Sequence, residues 1–226
     1  MVAMPEPCLL DNDVALKIAA FQLRVEAVSL LTIDGKTPAI LGVGRYVISR
    51  KAKKSGRFHD PASVSASLDA LLNVLVTVEP SPDEIELAAD LEAMGRRAGA
   101  EFDVGEAQLL AILLSRGTPA LVTGDKRAVA AMPALGRPEA AGKVLCFEQL
   151  LSLIAKHEPA STLRAKICGE PEADRTASVC FACASVDTAK LQTGDVLTAL
   201  QSYVDDLRAR SGNVLMADAS ASALTA

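Results

Sequence analysis

The segment from residue 102 to residue 127 decides the fold: it contains Phe102-Asp103-Val104-Gly105-Glu106-Ala107-Gln108-Leu109-Leu110-Ala111-Ile112 and then Leu121-Val122-Thr123-Gly124-Asp125-Lys126-Arg127. Residues 107–114 are an apolar run of strong helix formers, and Asp103 with Glu106 has the spacing of a capping box, so a helix is predicted. Residues 119–123 are short, apolar and end at Gly124, which predicts a buried parallel strand. Asp125 would follow the carboxyl end of that strand, where open α/β sheets bind ligands.

A second acidic group follows an apolar strand near the start of the chain. Residues 7–10 predict the strand, Asp11-Asn12-Asp13 come directly after it, and residues 14–25 predict a helix. Capping of that helix would explain Asp11 or Asp13 equally well.

The remaining patterns predict alternating strands and helices. Beyond Asp125 we expect a helix over 126–132, a strand over 143–146 and a helix over 147–156. Earlier in the chain, residues 63–78 and 82–97 predict helices, and residues 28–33 fit either a strand or the end of a helix. We therefore predict an α/β domain with a mostly parallel central sheet over 1–157. A helical extension follows over 158–212, with helices at 161–167 and 187–210, and a disordered tail over 213–226.

Composition narrows the functional classes. Aromatic residues make up 3% of the chain and the formal net charge is −5, which argues against base stacking on aromatic platforms and against a generally basic coat. The five cysteines are scattered and odd in number, so we expect a reducing cytoplasm, with Cys180 and Cys183 as buried free thiols. No apolar run reaches the length of a membrane span.

One basic concentration stands out in this acidic chain. Its members lie between residues 45 and 57 and are Arg45, Arg50, Lys51, Lys53, Lys54 and Arg57. A solvated helix face would explain them. They also fit a patch that binds nucleic-acid phosphates without reading sequence.

The acidic residues of the predicted strand ends form the strongest functional pattern. The group consists of Asp11, Asp13, Asp103, Glu106 and Asp125. Helix capping explains each one alone, but it does not require that they adjoin different buried strands, whose carboxyl ends meet at one edge of a parallel sheet. Clustered carboxylates repel one another unless a cation is present, and Mg²⁺ or Mn²⁺ takes oxygen ligands. Two such ions about 3.5–4 Å apart can support phosphodiester cleavage.

Three motifs in this order resemble the acidic motifs of PIN-domain proteins: Leu9-Leu10-Asp11-Asn12-Asp13-Val14, Asp103-Val104-Gly105-Glu106-Ala107 and Thr123-Gly124-Asp125-Lys126. The resemblance covers roughly residues 5–157. It implies a three-layer α/β/α fold and Mg²⁺- or Mn²⁺-dependent ribonuclease activity, and many bacterial members are toxins of toxin–antitoxin pairs.

The resemblance also implies roles for individual residues. Asp11 would be the first metal ligand with Asp13 as its polar neighbour, Glu106 with Asp103 the central acidic group, and Asp125 the acid after the late strand. Family members supply another acid from the middle of the chain and often one beyond the Asp125 position. The mid-chain candidates are Glu79, Asp83, Glu84 and Glu86, and the late candidate is Glu148.

The sequence thus favours a cytoplasmic metal-dependent ribonuclease. Asp11, Glu106 and Asp125 would be catalytic and would hold one or two ions, with Asp13 and Asp103 as auxiliary ligands. The basic residues of 45–57, with Lys126 and Arg127, would position the RNA backbone. Single-stranded DNA as substrate, an inhibitory protein partner and a homodimer formed through the extension are left open.

Two other functions fit the same residues. One is a PIN-like module that binds RNA or a protein partner without catalysis. The other is a haloacid-dehalogenase-like phosphatase, in which Asp11 would form an aspartyl-phosphate and Asp13 would protonate the leaving group.

Overall fold

The computed structural model describes residues 6–54, 56, 58–100, 102–185 and 191–217. Five parallel strands form its central sheet. They are β1 (Leu9–Leu10), β2 (Ala39–Leu41), β3 (Val76–Val78), β4 (Leu121–Thr123) and β5 (Val144–Cys146). The helices are α1 (Asn12–Ala20), α2 (Arg24–Leu31), α3 (Gly42–Ala52), α4 (Pro61–Leu72), α5 (Pro82–Arg97), α6 (Val104–Arg116), α7 (Lys126–Ala131), α8 (Phe147–Ala155), α9 (Ala160–Gly169), α10 (Arg175–Cys180) and α11 (Thr193–Ser211).

Helices cover both faces of the sheet, so the predicted three-layer α/β/α architecture is confirmed. Strand residues alternate between two apolar clusters: Leu10 and Val122 face the one built with α1, α4 and α8, whereas Leu9 and Leu121 face the one built with α5 and α6. Burial on both faces explains why β1, β4 and β5 are continuous apolar runs in the sequence.

The strand order β3-β2-β1-β4-β5 places β1 beside β4 at the centre of the sheet. Leu10 pairs with Val122, and the backbone N–H of Asp11 donates to the carbonyl oxygen of Val122 at 2.9 Å. The chain therefore leaves β1 and β4 at the same edge, which brings the residues after each strand together.

The first third of the chain differs from the sequence-based expectation. The helix predicted over 14–25 is broken at Gln22, whose φ is +52°, and a second helix, α2, includes the ambiguous residues up to Leu31. The helix predicted over 63–78 ends at Leu72 and is followed by the edge strand β3. Neither β2 nor β3 was predicted. Two of the three β3 residues are exposed, so this edge strand lacks the fully buried apolar run that identified β4 and β5, and it was read as the end of the preceding helix.

The C-terminal helices pack on the same core as the sheet. In α11, the apolar face formed by Val196, Leu200, Val204 and Leu207 is buried against the chain's own core, so these four side chains are not free for a second subunit. We expected disorder from residue 213, yet residues 213–217 are ordered: Leu215 bridges to Val144 beside β5 and is buried. Residues 218–226 lie outside the described ranges.

The expectation of buried free thiols was wrong for Cys183, which forms a disulfide with Cys168. Tertiary packing of α9 and α10 brings these two residues together, with 5.2 Å between their Cα atoms, and the C-x-x-C spacing gives no sign of it. Cys180 is free and buried, as expected, and Cys8 and Cys146 are also free and buried. Because disulfides are rare in a reducing cytosol, the cysteine argument for that compartment does not hold for this pair.

Within the residues described above, no helix has both the length and the apolar character needed to cross a membrane.

Candidate functional site

An open cleft of about 930 Å³ lies at the carboxyl ends of β1 and β4. The first turns of α1, α6 and α7 and one side of α3, from Val43 to Lys51, form its walls. All five predicted acidic residues line it, together with Asn12, Leu41, Val43, Gly44, Val47, Lys51, Val104, Gly105, Gln108, Gly124, Lys126 and Arg127. The structure thus brings the three acidic motifs into one cleft.

Asp11 occupies the N-cap position of α1, but its carboxylate makes no capping hydrogen bond to the described residues of that helix. Instead, the carboxylate Oδ2 accepts a hydrogen bond from the Thr123 hydroxyl at 3.4 Å. Burial, with the negative charges of Asp13 and Asp103, raises the pKa of Asp11 to about 6. Helix capping therefore does not account for this residue.

Asp103 and Glu106 form the predicted capping box at the start of α6. The backbone N–H of Glu106 donates to Asp103 Oδ1 at 2.9 Å, and the backbone N–H of Asp103 donates to Glu106 Oε2 at 3.0 Å. Burial raises the pKa of Glu106 to about 8, and the charges of Asp103, Asp125 and Asp11 add to the effect. Three other carboxylates are thus close enough to Glu106 to affect its ionisation.

Asp125 is a full N-cap of α7. Its Oδ1 accepts from the backbone N–H groups of Arg127 at 2.8 Å and Ala128 at 3.2 Å, and its Oδ2 lies 3.3 Å from the Arg127 guanidinium. Burial opposes ionisation, but the hydrogen bonds from Ala128 and Arg127 outweigh it and lower the pKa of Asp125. The cleft therefore holds one carboxylate whose ionised form is favoured and two whose ionised form is disfavoured.

Asp13 is held by Lys17, one helical turn later. Lys17 Nζ lies 2.6 Å from Asp13 Oδ2 and 2.7 Å from Asp174 Oδ2, so two carboxylates share one ammonium group. A Cβ atom built on Gly124 would lie 2.5 Å from Asp13 Oδ2 and 2.8 Å from Lys17 Nζ. Only a glycine lets the turn after β4 pass this ion pair without displacing it.

The donor atoms of the cleft suit a hard divalent cation, because they are carboxylate and amide oxygens. Asn12 also lines the cleft, and its Oδ1 atom is buried over Gly44 without a hydrogen-bond partner among the described residues. In the described ranges, however, no three or more His, Cys, Asp or Glu side chains converge as a metal site. The physical reason is that Asp103, Glu106 and Asp125 accept capping hydrogen bonds while Asp13 binds Lys17, so metal binding requires side-chain rotation.

The basic residues of α3 fall on two sides of the helix. Lys51 lines the cleft and also a second groove of about 550 Å³, which continues from the cleft along α3. This basic groove is lined by Tyr46, Val47, Arg50, Lys51, Lys53 and Lys54. Arg45 instead donates to the Thr77 hydroxyl at 3.3 Å beside the edge strand, and Arg57 lies outside the described residues.

The two basic residues after Asp125 differ in the exposure of their side chains and in their contacts. The ammonium of Lys126 lies 2.6 Å from a carboxylate oxygen of the buried Glu148 and donates to the Thr176 hydroxyl at 2.7 Å. Arg127 is largely exposed, beside Asp125. The Lys126 ammonium therefore binds Glu148 and Thr176 within the protein and holds α7 in place.

Within the described part of the chain, the other predicted acids lie away from the cleft. Neither Glu148 nor any of the four mid-chain candidates lines the cleft. Both carboxylate oxygens of Glu84 accept from Arg116 at 2.7 Å, and Glu79 packs over Gly42 at the start of α3. Sequence reasoning overlooked Lys17, whose spacing of four from Asp13 was a usable signal, and Asp174, for which the sequence carries none.

No family model, no curated protein and no solved structure matches this chain.

Proposed function

We propose that this protein is a divalent-metal-dependent endoribonuclease whose active site is the acidic cleft. The observation that carries the proposal is the position of Asp11, Asp103, Glu106 and Asp125, which come from three separate segments and line one cleft at the carboxyl ends of β1 and β4. Burial raises the pKa of Glu106 to about 8, and the charges of Asp103, Asp125 and Asp11 add to the effect, so a cation bound in the cleft would favour its ionised form. Helix capping alone gives no reason for this convergence.

Asp11, Glu106 and Asp125 would hold Mg²⁺ or Mn²⁺, with Asp13, Asp103 and the amide oxygen of Asn12 as additional donors. When bound, the ion supplies a Lewis acid that activates water and stabilises the leaving oxygen of a phosphodiester. The protein's own contribution is to bring the donors to one cleft: Thr123 orients Asp11, and the carboxylates of Asp103, Glu106 and Asp125 would rotate out of their capping hydrogen bonds to reach the ion.

The basic groove supports RNA as the substrate. It adjoins the cleft through Val47 and Lys51, so a chain that follows the groove would deliver its backbone to the acidic edge. Lysine and arginine contacts to phosphates give affinity without reading sequence. Single-stranded DNA offers the same phosphates and is a comparison substrate. An inhibitory protein partner of the toxin–antitoxin kind would act by covering the cleft.

A second function, RNA binding without catalysis, is favoured by one specific observation. In the described residues no group of three acids is arranged as a metal site, and Asp13 is bound by Lys17. If the caps hold the carboxylates in place, the cleft and groove bind RNA and cleave nothing.

The test is cleavage of structured and single-stranded RNA by the purified protein with Mn²⁺, with Mg²⁺ and with chelator, beside Asp11→Asn. We expect metal-dependent cleavage that the substitution removes. Metal and RNA binding without cleavage would select the binding module. Metal-dependent hydrolysis of a phosphomonoester such as p-nitrophenyl phosphate, with RNA left intact, would reject both in favour of a phosphatase.

A further inference from the structure

The ammonium group of Lys17 is enclosed behind the acidic cleft. Its side chain is 11% exposed, and its Nζ lies 2.6 Å from Asp13 Oδ2, 2.7 Å from Asp174 Oδ2 and 5.3 Å from the centre of the Phe147 ring. Burial opposes the charge of Lys17, but the two carboxylates outweigh it and raise its pKa. Lys17 is therefore a fixed positive charge at the edge that carries the candidate metal ligands.

Asp174, in the C-terminal helical part of the chain, supplies the second carboxylate that pairs with Lys17. It precedes α10, and its side chain is 9% exposed. Its Oδ1 accepts from the backbone N–H of Ala177 at 2.8 Å, which leaves Oδ2 for Lys17. Both carboxylate oxygens thus have defined partners, and the group cannot turn away from Lys17 without losing a helix cap.

The same short segment contacts the second acidic strand end. Thr176, two residues after Asp174, accepts a hydrogen bond at 2.7 Å from Lys126, the residue that follows Asp125. The Cys168–Cys183 disulfide closes the segment that contains both residues. The segment around α10 therefore contacts two lysines at the cleft edge: Lys17, in the helix after β1, and Lys126, in the helix after β4.

We propose that Asp174 is a positioning residue of the acidic site: by sharing Lys17 with Asp13 it keeps the Lys17 ammonium behind the cleft and sets the orientation of the Asp13 carboxylate. The inference rests on the proposed metal-dependent function. Without Asp174, Lys17 has Asp13 as its one remaining carboxylate partner among the described contacts. Its charge then competes with a divalent cation for the cleft carboxylates.

The experiment titrates Mn²⁺ into the full-length protein by calorimetry and compares Asp174→Asn with Asp206→Asn. Asp206 is an exposed acid of α11 paired with Arg210, so its substitution removes the same charge from the same extension, away from the cleft. Loss of a residue that orients a metal ligand typically weakens metal binding about tenfold or more, and we expect this for Asp174→Asn alone. Asp174→Glu should recover part of the loss.

A double-mutant cycle tests the route through Lys17. If Asp174 acts through Lys17, Asp174→Asn should change Mn²⁺ affinity little in a Lys17→Met background. Full additivity would overturn the proposal. Thermal melts of each variant in chelator separate positioning from loss of fold, because a variant that is folded without metal can lose Mn²⁺ affinity only through its site.

A metal-free readout makes the two possible failures distinguishable. A caged, doubly paired ammonium exchanges its protons slowly, so Lys17 should give an NMR signal from its ζ-ammonium, assigned by its absence in Lys17→Met. We expect Asp174→Asn to lose the signal and Asp206→Asn to keep it. Two results would reject the positioning role alone. One is a Lys17 ammonium signal that survives Asp174→Asn. The other is an Mn²⁺ affinity that Asp174→Asn leaves unchanged although the parent binds Mn²⁺. A parent that binds no Mn²⁺ and cleaves no RNA rejects the proposed function and this role with it.

Discussion

Asp103 and Glu106 hold each other's backbone through a reciprocal pair of hydrogen bonds, at 2.9 and 3.0 Å, at the mouth of the acidic cleft. The pair has two roles that conflict. As a capping box it starts α6, but burial raises the pKa of Glu106 to about 8 and the neighbouring charge of Asp103 adds to the effect. The position therefore stores unfavourable electrostatic energy when the pH is high and no cation is bound.

Glu106→Gln should stabilise the metal-free protein at high pH. Because the folded pKa of Glu106 is about 8 and its reference value is 4.5, the folded protein binds a proton that the unfolded chain has lost between these values. Stability then falls as pH rises through that window. Glutamine keeps an oxygen for the capping bond and removes the charge.

Thermal melts in chelator test this. The melting temperature of Glu106→Gln should exceed the parent's at about pH 9 and match it at about pH 4, whereas the exposed Glu86→Gln should show no such difference. Equal melting temperatures for parent and Glu106→Gln across the range would show that the cleft carboxylates are not coupled.

Asp125→Asn should abolish RNA cleavage and weaken Mn²⁺ binding without loss of fold. Asparagine caps helices about as well as aspartate, so the bonds from Arg127 and Ala128 to the side-chain oxygen can remain. Asp125→Ala should lose the same activity and also about 1 kcal/mol of stability through the missing cap. Urea titrations beside cleavage assays separate the two effects. Cleavage by Asp125→Asn at the parent's rate would remove this residue from the site.

Local signals carried most of what the sequence predicted correctly. The capping box at Asp103, the apolar strand before Asp125 and the β5–α8 pair depend on neighbouring residues, and all were recognisable. Their strand ends then located the acidic edge, because parallel topology follows from strand and helix order.

Contacts between distant segments account for what was missed. Asp174 reaches Lys17 across most of the chain, and Cys168 meets Cys183 through the packing of α9 and α10. A solvated helix face was one of two interpretations of the basic residues over 45–57, but which cation of α3 faces the cleft depends on how the helix lies on the sheet. The division between Lys51 and Arg45 was therefore beyond sequence reasoning.

Gly124→Ala should weaken Mn²⁺ binding more than it weakens the fold. The added Cβ would overlap the ends of Asp13 and Lys17, so the ion pair must move, at a cost of about 1–3 kcal/mol for an overpacked site.

Gly194 in α11 is the matched control, since a Cβ there meets nothing within 4 Å. Gly194→Ala should stabilise the helix by up to about 1 kcal/mol and leave Mn²⁺ affinity unchanged. Calorimetry and urea titration of both variants provide the measurement, and parent-like Mn²⁺ affinity in Gly124→Ala would count against a role for the Asp13–Lys17 pair.

Lys51→Gln should weaken RNA binding, and Arg45→Gln should not. Both cations belong to α3, but Lys51 lines the cleft and the basic groove whereas Arg45 donates to Thr77 beside the edge strand. A lost phosphate contact lowers affinity at low salt and reduces the slope of log K against log salt by about 0.7 for a single strand. Fluorescence anisotropy with a labelled single-stranded RNA, in chelator to prevent cleavage, measures the slope for parent and variants. If Arg45→Gln lowers the slope as much as Lys51→Gln does, RNA binds both sides of α3, and the groove that leads into the acidic cleft is not its specific path.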